Sequence, residues 1–261
     1  MRRVVYFFLF LLVFNGFFFG QERLLMDQKA FQRFKQAKRL YVKGEQLYLK
    51  GKLSKAKKSL EECVEIFPEY SEAYFVLAQV LYVQREYSSA LDHIANAKAH
   101  FNYMANIRAS SQMDYIGGLG EQSQKLKDRL RELQRKLSTS GATGQRSQLE
   151  NQIGVIQSQL NRIEGQIRTP VPTFEQLPAE YHYVHGNLLF KLKKFPEAKT
   201  QYLEAVKVDQ SHGNALNNVA ILLFLEKKYR KAKAFLDRAE ASGMAINQNF
   251  KRDLEKALEN Q

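Results

Sequence analysis

Tryptophan is absent from the 261-residue chain, cysteine occurs once and proline five times. The lone Cys63 closes no disulfide within the chain and completes no cysteine zinc site, which excludes disulfide scaffolds and zinc fingers. Catalytic signatures are missing too: there is no HExxH, no nucleophile elbow and no phosphate-binding glycine loop. The sequence therefore assigns no catalytic residue, no cofactor and no metal, and a non-enzymatic protein is expected. Acids are the scarcer charge, 27 against 40 Lys and Arg, for a net charge of +13. With 44% hydrophobic residues and 12% aromatics, the chain has enough apolar material for one or two packed domains, which sets it apart from disordered chains.

The first twenty residues read as a leader. Arg2 and Arg3 precede an apolar run from Val4 to Phe14, Asn15 and Gly16 interrupt it, and Phe17 to Phe19 resume it before Gly20 and Gln21. This is the charge and apolar order of a secretory signal, with a cut after Gly20, although Phe18 stands where a small residue is preferred. A retained anchor at residues 4–19 is the alternative; at 1.5 Å per residue that run reaches about 24 Å, short of a ~30 Å hydrocarbon core. Both outcomes place the remainder outside the cytoplasm: periplasmic or secreted after cleavage, or membrane-anchored.

Windows of 34 residues beginning at Ala37, Ser71, Ala179 and Gly213 repeat one pattern. Their eighth positions are Gly44, Ala78, Gly186 and Ala220; their twentieth are Ala56, Ala90, Ala198 and Ala232; their twenty-seventh are Cys63, Ala97, Ala205 and Ala239. The eleventh is leucine throughout (Leu47, Leu81, Leu189, Leu223), and the seventeenth is large (Leu53, Tyr87, Phe195, Tyr229). Small residues at fixed spacing let paired helices approach closely, and large ones fill the space between them. A two-helix hairpin cannot bury both faces alone, so the copies must stack.

This pattern resembles the tetratricopeptide repeat family, as two tandem pairs. The family's proline at position thirty-two appears only as Pro68, with Asn102, Gln210 and Met244 in the other copies, and its position-four tryptophan is Leu40, Tyr74, His182 or Leu216. The resemblance implies an all-α solenoid that binds a protein or extended peptide along a concave groove. It places positions two, five, nine and twelve of each first helix on that groove, which yields Tyr41 and Tyr48, Phe75 and Tyr82, Tyr183 and Phe190, and Phe224 as aromatic anchors. Position twelve is aromatic in every copy, and the other reading of it is packing between units. The family's clamp for a terminal carboxylate carries over as Asn187, Asn218 and Arg252, while Tyr183 and Gln248 stand where the family has lysine. The two asparagines are expected to hold the main chain of an extended segment. His182 and His185 form an HxxH, but they fall at repeat positions four and seven, where packing residues belong. Cys63, also at a packing position, is expected to be a buried small hydrophobe.

Between the pairs the period breaks. Apolar residues run Ile116, Leu119, Leu126, Leu130, Leu133, Leu137, with Ser123 in the one polar slot. After a Ser/Thr/Gly loop they run Leu149, Ile153, Ile156, Leu160, Ile163, Ile167. Alternating spacings of three and four make a heptad seam, and the short connection predicts an antiparallel coiled-coil hairpin ended by Pro170, Pro172 and Pro178. An amphipathic stretch at the end, with Phe250, Leu254, Ala257 and Leu258 on one side, predicts a capping helix. The expected organisation is leader 1–20, basic segment and repeats one and two 21–104, hairpin insertion 105–178, repeats three and four 179–246, and cap 247–261.

Charge is uneven: residues 21–60 carry +9 and residues 61–117 carry −5. The basic first repeat suits an anionic membrane surface or an envelope polymer, or is a solvated face. Nucleic acid is not expected of an exported chain without a recognised nucleic-acid module. The sequence thus points to an exported scaffold that binds a partner in its groove and acts in cell-envelope protein assembly. The alternative is an assembly factor working through the hairpin and basic face, with a homodimer formed along the coiled coil.

Overall fold

The computed structural model describes residues 28–139, 143–168 and 176–260. The leader at residues 1–20, its anchor alternative at 4–19, and Pro170 and Pro172 lie outside the described residues. Among the described residues there are helices and no strand: α1 (Gln28–Leu49), α2 (Leu53–Ile66), α3 (Ser71–Val83), α4 (Tyr87–Thr139), α5 (Thr143–Ile167), α6 (Ala179–Lys191), α7 (Phe195–Val208), α8 (Gly213–Leu225), α9 (Tyr229–Ala241) and α10 (Gln248–Glu259). They divide into two compact units, residues 28–104 with 176–260, and residues 105–139 with 143–168.

The first unit is the repeat array. Its four helix pairs are α1/α2, α3 with residues 87–104 of α4, α6/α7 and α8/α9, followed by α10. All twelve small positions of the repeat are buried, most of them completely. A Cβ built on Gly44 lies 2.6 Å from Leu60 Cγ, and one on Gly186 lies 2.6 Å from the Tyr202 ring. Leu60, Ile94, Tyr202 and Leu236 occupy one equivalent position on the second helix of each pair, and each is almost fully buried. Where that residue is largest, only glycine leaves room opposite it.

The turn within each pair is built the same way four times. Gly51 N–H donates to Tyr48 O and Lys52 N–H to Leu47 O; Arg85, Lys193 and Lys227, with the residues after them, repeat this pair of bonds. Such a turn needs a left-handed residue, and Gly51 supplies it at φ 70°. Arg85, Lys193 and Lys227 adopt it at φ 66°, 61° and 58° despite carrying a Cβ, which costs about 1 kcal/mol each.

The two pairs are not separate bodies within this unit. Phe75 of α3 stacks on Tyr181 of α6 at 4.2 Å between ring centroids, and Phe101 meets Tyr181 edge-on at 5.6 Å. Leu91 packs against the core of the second pair. Lys98 Nζ donates to Gln201 Oε1 at 2.8 Å. Repeat three therefore stacks directly on repeat two, and the array is continuous across the insertion. The last helix closes it: Asn247 Oδ1 accepts from Asn249 N and Phe250 N, while Leu254, Phe250 and Leu258 cover the end of the core.

The boundary expected between repeat two and the insertion at residue 104 coincides with the division between the two units, although one helix, α4, of 53 residues runs through it. Pro68 stops α2 at Ile66, whereas Asn102 at the matching position leaves the helix free to propagate. Gly117, Gly118 and Gly120 lie inside α4 without ending it. In the second unit, residues 105–139 of α4 pack on α5 through Leu133, Ile156 and Leu160, flanked by Leu126, Leu130, Leu149 and Ile153. Lys127 Nζ reaches Glu164 Oε1 across the arms at 3.0 Å, and Ser123, the one polar slot, is buried.

Replacing Gly186 by Ala drives a methyl into the Tyr202 ring, and overpacking of this kind destabilises by about 1–3 kcal/mol. Urea unfolding should show that loss for Gly186→Ala. The double variant Gly186→Ala/Tyr202→Leu, which copies the Ala220 and Leu236 pair of repeat four, should regain most of it.

Candidate functional site

The first helices of the repeats line one concavity in two adjoining parts. The part across repeats one to three, about 170 Å³, is lined by Tyr48, Gln79, Tyr82, Glu180, Tyr183 and Asn187, with Val83 and Val184. The part across repeats two to four, about 270 Å³, is lined by Tyr82, Tyr183, Asn187, Phe190, Asn218 and Ile221, with Lys191 and Tyr202. Tyr82, Tyr183 and Asn187 belong to both, so the junction between the pairs lies at the centre of the groove.

Position twelve has a second role. Tyr82 meets Tyr87 edge-on at 5.7 Å, Phe190 meets Phe195 at 5.3 Å and Phe224 meets Tyr229 at 5.4 Å. Each of these three aromatics is thus braced by position seventeen of its own repeat. Tyr48, Tyr82 and Phe190 still present a face to the concavity. Phe224 instead turns to Phe250 of the cap at 5.5 Å and lines neither part. Phe75 is engaged in the stack on Tyr181 described above. Tyr41 donates to Glu45 Oε1 at 2.5 Å and stacks on Tyr70 at 5.2 Å, so it too lies outside both lined parts.

The polar floor is tied together internally. Asn187 Oδ1 accepts from Tyr202 O–H at 2.9 Å and from Asn218 Nδ2 at 3.2 Å. The Asn187 amide oxygen is therefore committed to the protein, and the Asn218 oxygen accepts in turn from Asn217 Nδ2 at 3.5 Å. Arg252 is exposed and donates to Asn249 Oδ1 of its own helix at 2.8 Å; it is not brought to the two asparagines. The cation beside them is Lys191, which the sequence register missed because it stands one residue past position twelve. Tyr202 was missed because it sits on a second helix, and only its length carries its hydroxyl through to the groove. Glu180 adds a carboxylate at the other part, where His212 Nε2 lies 3.3 Å from its Oε2. Burial, followed by the Glu180 charge, holds the Tyr48 phenol above its usual range, and burial does the same for Tyr183.

The remaining candidates are structural. Cys63 is completely buried, and burial pushes its thiol up to about 12, so it is not a thiolate near neutrality. His182 Nδ1 lies 3.2 Å from Lys98 Nζ and 3.2 Å from Gln201 Oε1. His185 is pushed down to about 4 by burial and by the adjacent Lys98 and His182 charges. Among the described residues no three His, Cys, Asp or Glu side chains converge as a metal site would require.

A family model described as tetratricopeptide repeat matches residues 41–103 and 183–245. No curated protein matches the chain. Among solved structures it is similar to pilF of Pseudomonas aeruginosa, 19% identical over 87% of this chain and 86% of that one, at a TM-score of 0.39. It is similar also to TTC0263, a thermophilic TPR protein of Thermus thermophilus, 16% identical over 85% and 98%, at 0.34. A third is the TPR2AB domain of yeast Sti1 in its pHSP90 complex, 16% identical over 85% and 96%, at 0.26.

Two outcomes follow from these contacts. Tyr202 is 1% exposed, so Asn187→Ala/Asn218→Ala strands its hydroxyl without an acceptor. Thermal or urea unfolding of that double variant should show a loss of about 1–3 kcal/mol. His185, neutral in the fold and ionising near 6.5 when unfolded, stabilises fully above that pH and loses its contribution as pH falls toward 4. Between pH 7.5 and pH 5 that loss is on the order of 1 kcal/mol after solvent screening. The acid sensitivity of unfolding should be correspondingly smaller in His185→Asn.

Proposed function

Since the chain is a tetratricopeptide repeat protein, with repeats at residues 41–103 and 183–245, we propose that it is a non-catalytic scaffold that binds an extended segment of a partner protein in its concave groove. The observation that carries this reading is the pair of adjoining hollows that together reach all four repeats, lined by Tyr48, Tyr82, Tyr183, Phe190 and two asparagines. Braced aromatics offer large contact area at little entropic cost. Amide groups between them serve a peptide main chain irrespective of its sequence. The Lys191 ammonium near Asn187 and Asn218 favours an acidic group or a terminal carboxylate at that end of the segment. The leader-like residues 1–20 support export, and with it a role in cell-envelope protein assembly.

A second reading gives the partner contact to the helical insertion. It is favoured by a hollow of about 390 Å³ between α4 and α5, lined by Leu126, Arg129, Gln152 and Ile156, beside Val155, which is 59% exposed. A second copy of the chain or an assembly partner seated there defines this alternative.

Selection of a displayed random-peptide library on the full chain separates the two. Peptides recovered through the groove should compete for one site. They should lose affinity by about 30-fold on Tyr82→Ala/Phe190→Ala, the scale of two interface anchors, while circular dichroism stays that of the native fold. Peptides that bind this variant unchanged, yet fail to bind a chain in which a short Gly linker replaces residues 119–167, would transfer the function to the insertion.

A further inference from the structure

The repeat array is electrically polarised from one edge to the other. Because the helices alternate in direction, the turns within pairs lie on one edge and the turns between pairs on the opposite edge. Residues 49–58, 83–92, 191–200 and 225–234, which form the first edge, hold fifteen Lys and Arg against four acids. That is +11 of the chain's +13. Residues 64–72, 206–214 and 240–248 on the opposite edge hold one Lys against five acids. Consecutive turns on the basic edge are adjacent. Lys57 of repeat one pairs with Glu86 of repeat two at 3.1 Å, and Lys199 of repeat three pairs with Glu226 of repeat four. Tyr82, Phe190 and Lys191 share one concavity.

Three features set this edge apart from an ordinary solvated face. Two of its four acids are already neutralised, Glu86 by Lys57 and Glu226 by Lys199 and Lys228. No acid pairs, among the described residues, with Lys50, Lys52, Arg85, Lys193, Lys194 or Lys227. Arg85, Lys193 and Lys227 hold left-handed backbone that Gly51 holds without strain, so three turns keep a cationic side chain where glycine fits better. Beside these cations, the last residue of three first helices is an exposed aliphatic: Leu49 at 77%, Val83 at 53% and Leu225 at 59%. Phe195 adds an exposed ring at the remaining turn.

We propose that this edge docks on an anionic phospholipid bilayer. Lysine and arginine in a row meet the acidic headgroups, and the apolar tip of each turn enters the boundary between headgroup and acyl chain. A nucleic acid backbone matches the charge but gives the exposed Leu49, Val83 and Leu225 no apolar layer to enter, whereas a bilayer supplies both along the whole row. Val83 and Lys191 of this edge also line the groove, so the edge borders the groove's rim. The inference does not depend on what the groove binds.

Vesicle flotation of the full chain tests it, with phosphatidylcholine alone against phosphatidylcholine containing about 30% phosphatidylglycerol. The apolar residues 4–14 are common to every arm, so the ratio between the two vesicles reads the edge. Wild type should favour the anionic vesicles by at least about tenfold, and less so as salt rises. Lys52→Glu/Lys193→Glu/Lys194→Glu/Lys227→Glu should abolish most of that ratio, with the matching Lys→Gln set as the variant of choice should the Glu set misfold. Leu225→Trp, the sole tryptophan in its chain, should shift blue on anionic vesicles and be quenched by brominated acyl chains. An unchanged ratio in the charge variants overturns the proposal. Heparin binding that matches vesicle binding, with Trp fluorescence unquenched by the brominated lipid, does so as well, because it makes the edge a general polyanion surface.

Discussion

The close contact between Gly186 and the Tyr202 ring is the constraint from which much of the second half of the molecule follows. A glycine at this position lets α6 and α7 approach until the ring has no further room, and that spacing fixes where the phenol hydroxyl emerges. It emerges into the groove, where it donates to Asn187 Oδ1, and Asn187 in turn receives Asn218 from the next repeat. Core packing and groove geometry are therefore one mechanical system. Loosening the helix pair by a single methyl moves the hydrogen-bonded floor on which a ligand would rest. The same position in repeat one is held by Gly44 against Leu60, with no hydroxyl and no floor network to set.

An insertion of some seventy residues between repeats two and three leaves the array intact because the interface between them is specific. Tyr181 is clamped by Phe75 and Phe101, its hydroxyl lies 3.4 Å from Ser71 Oγ, and Ser71 Oγ donates to Ala97 O. Lys98 then reaches across to Gln201 and His182. The closure entropy of a chain excursion grows only slowly with its length, and the insertion is itself helical, which reduces the number of flexible residues to be closed. The junction that results is also the centre of the groove, since Tyr82 and Tyr183 line both of its parts.

The repeats were legible because their signal is carried by sterics at fixed spacing: twelve small residues in phase admit one mode of helix packing, and all twelve are buried. The groove register was legible for the same reason at Tyr48, Tyr82, Tyr183 and Phe190. It went astray where local partners redirect a side chain. Tyr41 is drawn to Glu45, Phe224 to the cap ring Phe250, and Arg252 to Asn249, and nothing in a repeat register encodes those preferences. Tyr202 and Lys191 escaped notice because their function depends on side-chain length and not on helix face. The continuity of α4 was not legible because the second repeat window ends at residue 104 and the heptad seam begins at Ile116, and neither pattern encodes what joins them; Gly117, Gly118 and Gly120 lie within the helix without ending it.

Charge segregation in the array obeys a different logic from the groove. A fold that needs small residues at positions eight, twenty and twenty-seven leaves the turn positions free, since their side chains point to solvent and their backbone bonds are made by any residue able to adopt the left-handed conformation. Here the turns within pairs carry a cation in every repeat, while the turns between pairs hold Glu69, Asp209 and no Lys or Arg over 66–71, 208–213 and 242–247. The three basic residues in left-handed backbone oppose the stability gradient, because glycine at Arg85, Lys193 or Lys227 would relieve the strain. A cation recurring in register along one edge, at a cost in self-repulsion, is what the proposed bilayer contact would use. In that proposed contact the apolar residues set among those charges, Leu49, Val83 and Leu225, would enter the apolar layer beneath the anionic one.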